Sequence, residues 1–327
     1  MKFLSLFGLA SIVLFSFTAC EKIVYKPQDE ATNLNVFDDF STLFLEKYAM
    51  FEQKGVNWPV LSDSVRATIN DNTTEFELAR KMGTMVRRLK DGHSYLYADS
   101  IFFYDISAGY PLNFDAANSK PEEEATVVSG GAYKSIGDIG YIYISDFVEW
   151  TNTQTSEAID ALSGTRALII DVRINGGGDP EAAAELAARF TNTSYGAGIE
   201  YFKTGPGAND FSGSAITVTP STNSRYLDKK VAILQARLSY SATQTLIYLC
   251  DENPNVATFG SKSGGGTGSV ASGYLINGWQ WNMSVSDYED AKGRKFDGGL
   301  EADFPVLDDT DTDNDEVIEA AIDWING

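Results

Sequence analysis

The sequence predicts an α/β fold with a helical region at its N-terminal end. Continuous apolar stretches at residues 167–172 and 231–234 are typical of strands that are covered by helices. Amphipathic stretches at residues 180–190 and 242–250 follow them, as the covering helices should. Over residues 36–89 the apolar residues recur at three- and four-residue spacing, which is the period of an α-helix.

An N-terminal helical domain is expected over residues 34–95. Its first helix should end at Gly55, because glycine breaks a helix. The aromatic face of this helix consists of Phe37, Phe40, Phe44, Tyr48 and Phe51. A second helix should begin after Thr74, since Thr74 as N-cap and Glu77 at the third helical position have the pattern of a capping box.

The remaining chain divides into a connecting region and a core. Residues 96–138 are first aromatic and then polar, and we expect a β-rich connection there. Residues 139–327 should form the core. Its predicted strands are 140–144, 167–172 and 231–234, and its predicted helices are 156–162, 180–190, 242–250 and 316–325. Trp279 and Trp281 fall on one face of a further strand, where we interpret them as packing residues rather than as a ligand-stacking surface.

The N-terminal end has the pattern of an export signal. In residues 1–19 a lysine precedes a short apolar run, and small residues precede Cys20. The segment FTAC (17–20) resembles a bacterial lipobox, in which the cysteine becomes the lipidated N-terminus. We therefore expect export to the bacterial cell envelope, a lipid anchor at Cys20 and a polar tether over residues 20–33. An ordinary signal peptide is the alternative.

Composition restricts the classes of partner. The formal net charge of −21 argues against nucleic acids and anionic membrane surfaces. Cys250 closes an apolar run and is interpreted as a buried thiol. The acidic residues 309–316 alternate as in a calcium loop but lack its central glycine, so we interpret them as the lead-in to a helix, with calcium as the alternative. No cofactor or metal is predicted.

Two side chains are candidates for catalysis. The sequence contains a single histidine, in the segment LKDGH (89–93), so any catalysis by an imidazole must use His93. Ser241 lies between a predicted strand and a predicted helix, where a side chain projects from the edge of a sheet beside free helix N–H groups. The alternatives are that His93 is a surface or packing residue and that Ser241 or Ser239 only caps the helix.

Three glycines at residues 176–178 follow another buried strand. Glycine lets the backbone approach a ligand and direct N–H groups into a concavity. The nucleotide-binding glycine motifs are absent, which argues against a phosphate site. We assign Gly177 from this loop and Ala242 from the helix start as donors that would suit the oxyanion of a tetrahedral acyl intermediate.

Three segments together resemble the successive core motifs of the S41 peptidases, which are the C-terminal processing (tail-specific) proteases and the tricorn core. They are GYIYISDF (140–147), DVRINGGG (171–178) and SYSAT (239–243), of which the second is the most specific. The resemblance implies a crotonase-like (ClpP/crotonase) α/β core in which Ser241 is the nucleophile.

The family has two catalytic styles, and the resemblance implies the tricorn-like one here. Ser–Lys members carry a lysine at the position of Gly266, and Lys262 is out of register with it. Ser–His members carry a histidine after a helical region, as His93 does. Their late acid matches Asp297 best, with Glu301 as the alternative.

The resemblance implies an envelope-anchored serine endopeptidase that hydrolyses peptide or protein substrates through an acyl-enzyme. His93 would be the general base that activates the serine hydroxyl. The stretch between His93 and Gly140 is too short for a PDZ domain, so none is expected. A catalytically inactive ligand- or peptide-binding lipoprotein on the same fold is the main alternative, and an esterase is a third hypothesis.

Overall fold

The structure is a computed structural model that describes residues 31–104, 124–307 and 314–327. The predicted signal peptide, Cys20 and most of the tether lie outside the described residues. So do residues 105–123 of the predicted connecting region, residue 308 and residues 309–313 of the acidic segment. Within the described ranges no helix is long and apolar enough to cross a membrane.

Helices come first along the described chain, and strands then alternate with helices. The helices are α1 (Asn33–Lys47), α2 (Trp58–Arg66), α3 (Glu75–Arg88), α4 (Asn152–Ala161), α5 (Pro180–Ala188), α6 (Ala242–Cys250) and α7 (Glu316–Asn326). The strands are β1 (Tyr95–Ala98), β2 (Ile101–Tyr104), β3 (Thr126–Val128), β4 (Gly131–Ile136), β5 (Ile139–Ile144), β6 (Ala167–Asp171), β7 (Tyr195–Lys203), β8 (Phe211–Val218), β9 (Val231–Gln235), β10 (Val256–Gly260), β11 (Val270–Tyr274), β12 (Gln280–Ser284), β13 (Ser286–Asp290) and β14 (Phe304–Pro305).

A seven-stranded central sheet has the order β14-β10-β9-β6-β5-β4-β3. Its strands from β14 to β5 are parallel, whereas β4 and β3 are antiparallel additions, so the sheet is mixed. The strands predicted at 140–144, 167–172 and 231–234 are β5, β6 and β9 at its centre. Helices α4, α5 and α6 cover one face and α7 covers the other, which explains why all residues of these strands are buried and mostly apolar.

The first helix is shorter than predicted. Phe37, Phe40, Phe44 and Tyr48 are buried as expected and Phe51 is half-buried, but α1 ends at Lys47 and not at Gly55. The chain turns at Tyr48, and the next residue, Ala49, donates its N–H to the carbonyl of Ser284 in β12 at 3.0 Å. A helix continued through this point would lose that bond to the neighbouring sheet.

Helix α3 begins as predicted. The Thr74 hydroxyl accepts the N–H of Glu77 at 3.2 Å, and the Glu77 carboxylate accepts the N–H of Thr74 at 2.9 Å, which completes the capping box. The helix ends in a loop in which Lys90 has φ 48°, and this loop leads to His93.

A second sheet, with the order β11-β12-β1-β2, combines strands from the N-terminal and C-terminal halves of the chain. Strand β12 pairs antiparallel with β1, so that Trp281 lies opposite Leu96. Trp279 and Trp281 are buried in the core formed with α1 and α3, as the packing interpretation predicted. Strands from the C-terminal half thus share the apolar core of the predicted helical domain.

Two minor expectations from the sequence also have structural counterparts. Cys250 is buried at the end of α6, where burial and the neighbouring Asp251 carboxylate raise the pKa of its thiol to about 12. Asp315 is the N-cap of α7, and its Oδ1 accepts the N–H of Ile318 at 2.9 Å, in agreement with an acidic lead-in to a helix. Among the described residues no group of His, Cys, Asp and Glu is arranged to hold a metal ion.

Arg173, from the motif DVRINGGG, is completely buried and connects α7 to the central sheet. Its guanidinium donates to Asp315 in two bonds of 3.0 and 2.6 Å. It also donates from Nη2 to the buried carboxylate of Asp171 at 2.7 Å, which in turn accepts the hydroxyl of Tyr141 at 2.8 Å. This network fixes the end of β6 directly before the glycine loop.

Removal of the Arg173 guanidinium should destabilise the fold. In Arg173→Leu the Asp171 carboxylate stays buried without a counter-charge, and breaking a buried pair in this way costs about 3–5 kcal/mol. Urea unfolding followed by circular dichroism measures the loss in the free energy of unfolding. Arg66→Leu is the matched control, because Arg66 pairs with Asp38 at the surface, where ion pairs contribute little. Equal changes in the two variants would contradict a structural role for the buried pair.

Candidate active site

Ser241 lies at the turn between β9 and α6, as predicted. Its backbone has φ 58° and ψ −121°, a region that L-residues avoid and that costs about 1–3 kcal/mol. Its N–H donates to the carbonyl of Gly265 at 2.9 Å, which holds the turn in place. The Ser241 side chain does not cap α6, and the Ser239 hydroxyl donates to the Val172 carbonyl at 2.8 Å. The alternative that either serine serves only as a helix cap is therefore wrong.

The only histidine reaches this serine. His93 Nε2 lies 3.0 Å from Ser241 Oγ, although the two residues are 148 positions apart in the sequence. The imidazole also packs against the ring of Tyr240, with 5.0 Å between the ring centroids. The two side chains that were expected to meet in one site do so, at a distance suited to proton transfer.

The loop that presents His93 is held by Asp91, a residue that the sequence analysis did not single out. Asp91 Oδ1 accepts the His93 N–H at 2.9 Å, and Oδ2 accepts the hydroxyls of Ser94 at 2.7 Å and Ser284 at 2.9 Å. Asn282 in β12 donates its amide to the His93 carbonyl at 2.5 Å. Asp91 stands in the LKDGH segment, but its partner Ser284 comes from a distant strand that no local pattern indicates.

The glycine loop lies directly against the serine. Gly177 has φ 112°, and a Cβ added there would lie 2.7 Å from the Cβ of Ser241. Ala242 is the first residue of α6, so its N–H has no acceptor within the helix. The Gly177 N–H, in contrast, donates to Asn175 Oδ1 at 2.9 Å in an Asx turn. Of the two donors expected from the sequence, Gly177 would thus bind an oxyanion only in competition with Asn175.

Asp297 is close enough to His93 for the charges of the two side chains to interact. It is buried, and its carboxylate forms an ion pair with Lys54. Burial and the carboxylate of Asp91 raise the pKa of Asp297, whereas the Lys54 ammonium and His93 lower it. Lys54 was not singled out from the sequence, and a lysine in an N-terminal turn carries no local signal of such a contact.

Glu301, the alternative acid, lies at the surface. Its side chain is 73% exposed, and its carboxylate pairs with the ammonium of Lys262 at 3.5 Å. Lys262, the out-of-register lysine, is thus also engaged at the surface. At the position of the family's catalytic lysine, Gly266 has φ 73°, and a Cβ there would lie 2.2 Å from Cζ of Tyr240. The Tyr240 ring occupies the space into which a side chain at this position would extend.

Comparison with known proteins agrees with these motifs and this geometry. The sequence model of Peptidase family S41 matches residues 138–306, just over half of the chain. The chain belongs to peptidase family S41. It is therefore a serine-type peptidase, as the resemblance implied. No curated protein sequence matches it.

Solved structures extend the similarity of this S41 peptidase beyond the matched region. A candidate peptidase from Parabacteroides merdae is 28% identical, with a TM-score of 0.83 over 91% of this chain and 98% of that one. A lipoprotein from Streptococcus agalactiae is 16% identical, with a TM-score of 0.59 over 93% and 98% of the two chains. The photosystem II D1 C-terminal processing protease is 12% identical, with a TM-score of 0.57 over 85% and 94%. The last two similarities show a common fold, and the predicted α/β class is confirmed.

The glycine loop offers a matched pair of variants. In Gly177→Ala the new methyl group would collide with Ser241, and φ 112° is unfavourable for alanine, so the serine should be displaced. We expect the rate at which a fluorophosphonate labels the serine to fall by about 10²-fold, as on loss of an oxyanion donor. In the control, Gly176→Ala, a Cβ meets nothing within 4 Å, and the rate should hardly change. Similar rates for the two variants would show that the loop does not position the serine.

Proposed function

We propose that this S41 peptidase is an envelope-anchored endopeptidase of the Ser–His type. Ser241 is the nucleophile, His93 the general base and general acid, and Asp297 the acid that orients the imidazole. The observation that carries the proposal is the 3.0 Å contact between His93 Nε2 and Ser241 Oγ at a strained strand-to-helix turn. Strain of this kind collects at functional sites, because it fixes a side chain in the geometry that a reaction needs.

The proposed reaction has two halves. Ser241 Oγ attacks the carbonyl carbon of the scissile peptide while His93 Nε2 takes its proton, and the resulting oxyanion accepts the Ala242 N–H. His93 then gives the proton to the leaving amine, and the C–N bond breaks to leave an acyl-enzyme. In the second half His93 takes a proton from water, whose oxygen attacks the ester, and returns the proton to Ser241 as the product acid leaves.

Asp297 is preferred to Glu301 as the orienting acid because of burial. A buried carboxylate beside an imidazole can accept its Nδ1–H and stabilise the imidazolium that forms during each half-reaction. The largely exposed carboxylate of Glu301 is screened by solvent and paired with Lys262. Gly177 remains a proposed second oxyanion donor, on the condition that its hydrogen leaves Asn175 when substrate binds.

The proposal also covers the location of the enzyme. Residues 1–19 would be removed as a signal peptide and Cys20 would carry the lipid, with residues 139–327 as a crotonase-like catalytic core. The lipobox-like segment FTAC (17–20) supports this arrangement. Incorporation of a labelled fatty acid into the wild-type chain, but not into Cys20→Ser, tests the anchor.

Labelling with a fluorophosphonate tests the nucleophile and its base. The wild-type chain should be labelled, Ser241→Ala should not be labelled, and in His93→Ala the rate should fall by about 10³-fold or more. Lys262→Met is the matched control and should keep the wild-type rate. A wild-type chain that is never labelled would contradict the proposal and favour the inactive binding protein. Digestion of a peptide library by the unlabelled wild-type chain, with Ser241→Ala as the control, separates an endopeptidase from an esterase.

Replacing Asp297 and Glu301 separately tests which acid orients His93 in the proposed triad. Asp297→Asn keeps the shape of the side chain but removes its charge, and kcat should fall by up to about 10⁴-fold, as on loss of an orienting carboxylate. Glu301→Gln should change kcat less than twofold, because an exposed pair contributes little. The kcat values of both variants on one peptide substrate give the answer. Two small effects would mean that another group orients His93.

A further inference from the structure

Lys54 connects the candidate acid to the loop that carries the histidine. It lies in the turn that follows α1, and its ammonium donates both to Asp297 Oδ2 and, at 3.0 Å, to the carbonyl of Lys90. The Lys54 side chain is only 13% exposed and that of Asp297 only 3%. Such a pair has a well-defined geometry, because both charged groups are shielded from solvent and each provides the counter-charge and the hydrogen-bond partner of the other.

Two polar atoms remain unpaired next to this ion pair. Asp297 Oδ1 and His93 Nδ1 are both buried, and neither has a hydrogen-bond partner within the described residues. Buried polar atoms in native proteins are rarely left without a partner. One of these atoms is an acceptor and the other can carry a hydrogen, so each is a chemically suitable partner for the other. The Lys54 ammonium is bound to the other oxygen of this carboxylate, Oδ2, so that Oδ1 is available to accept a hydrogen bond from the imidazole.

The charges around Asp297 show why a cation is needed there. Burial and the carboxylate of Asp91 favour the neutral acid, and only Lys54 and His93 oppose them. The phenols of Tyr48 and Tyr240 also face this carboxylate. The Asp91 carboxylate accepts hydrogen bonds from three uncharged groups, whereas the Asp297 carboxylate is paired with the Lys54 ammonium. Without Lys54, two carboxylates would be buried close together with no fixed cation.

We propose that Lys54 is a positioning residue for the peptidase reaction. Its ammonium keeps Asp297 ionised, fixes Oδ2 and leaves Oδ1 directed to His93 Nδ1–H, while its bond to the Lys90 carbonyl ties the same cation to the histidine loop. This inference rests on the proposed function, because it needs His93 to act as the base and Asp297 as the orienting acid.

Loss of the cation should change the pH dependence in a defined direction. In Lys54→Met, the ammonium that lowers the pKa of Asp297 is missing, whereas burial and the Asp91 carboxylate still raise it. The pKa of Asp297 therefore rises, and its carboxyl group stays protonated up to a higher pH. Because only the ionised acid can stabilise the imidazolium, the acidic limb of the kcat profile should move to higher pH. We expect kcat to fall by up to about 10²-fold near neutral pH and to recover partly at alkaline pH, with KM changed less than threefold.

The test compares Lys54→Met, Lys54→Arg, Asp297→Asn and the double variant Lys54→Met/Asp297→Asn in kcat and KM across pH. Lys54→Arg should retain most of the activity, since a guanidinium keeps the charge. The double variant should be no worse than Asp297→Asn alone, because Lys54 acts through that carboxylate. Lys262→Met is again the control for loss of a lysine–carboxylate pair. A loss in Lys54→Met that is equal at every pH, or that adds to the loss in Asp297→Asn, overturns the proposal.

The single histidine permits a direct structural readout. In protein labelled with ¹⁵N-histidine, one imidazole gives all the signals, and their shifts report which ring nitrogen carries the proton. The Nδ1–H form should dominate in the wild type and lose population in Lys54→Met. If Lys54→Met does not fold, Lys54→Gln keeps a donor without the charge and should lose activity in the same way. Full activity of Lys54→Gln overturns the proposal.

The outcomes separate this inference from the proposed function. If His93→Ala and Ser241→Ala abolish turnover while Lys54→Met behaves as the wild type at every pH, the Ser–His mechanism stands and the role of Lys54 is rejected. If turnover survives in His93→Ala or Ser241→Ala, the proposed function itself fails. In that case the pH profile of Lys54→Met describes some other chemistry.

Discussion

The geometry of the candidate active site depends on the strained backbone of Ser241. A φ of 58° at a non-glycine residue is maintained only where the neighbours supply more favourable energy than the strain consumes. Here the Ser241 N–H is bound by the carbonyl of Gly265, and the carbonyl of Asn175 accepts both the Tyr240 N–H and the Thr243 hydroxyl. These contacts come from the ends of three neighbouring chain segments, so the serine geometry depends on the register of the central sheet.

The pairing of β12 with β1 is the second requirement. It places Ser284 and Asn282, residues of the C-terminal half, against the loop that carries His93. Trp281 and Met283 from the same strand belong to the apolar core that also contains the buried faces of α1 and α3. One strand therefore both completes the N-terminal core and fixes the histidine. Substitutions that weaken this core should therefore disturb the position of His93 even when the substituted residues do not contact the active site.

The sequence predicted those features that have a local cause. Continuous apolar runs identified β5, β6 and β9, and the pattern of Thr74 and Glu77 identified the start of α3. The single histidine, together with the resemblance to the S41 motifs, led to the prediction that His93 meets Ser241. The features that could not be predicted from the sequence arise from tertiary contacts. Lys54 lies beside Asp297 only because the chain turns after α1, and the early end of that helix depends on a bond from Ala49 to Ser284.

The absence of a lysine at residue 266 has a steric explanation that the sequence alone does not provide. The Tyr240 ring packs against His93, and it also fills the space beside Gly266 that a Cβ at that position would enter. Any side chain at Gly266 would have to displace this ring, and the imidazole would then lose the surface that supports it. A Ser–Lys arrangement and the Tyr240-supported Ser–His arrangement thus compete for the same volume beside the serine. The contact between Tyr240 and Gly266 therefore leaves no room for a side chain at the position where the Ser–Lys members of the family carry their lysine.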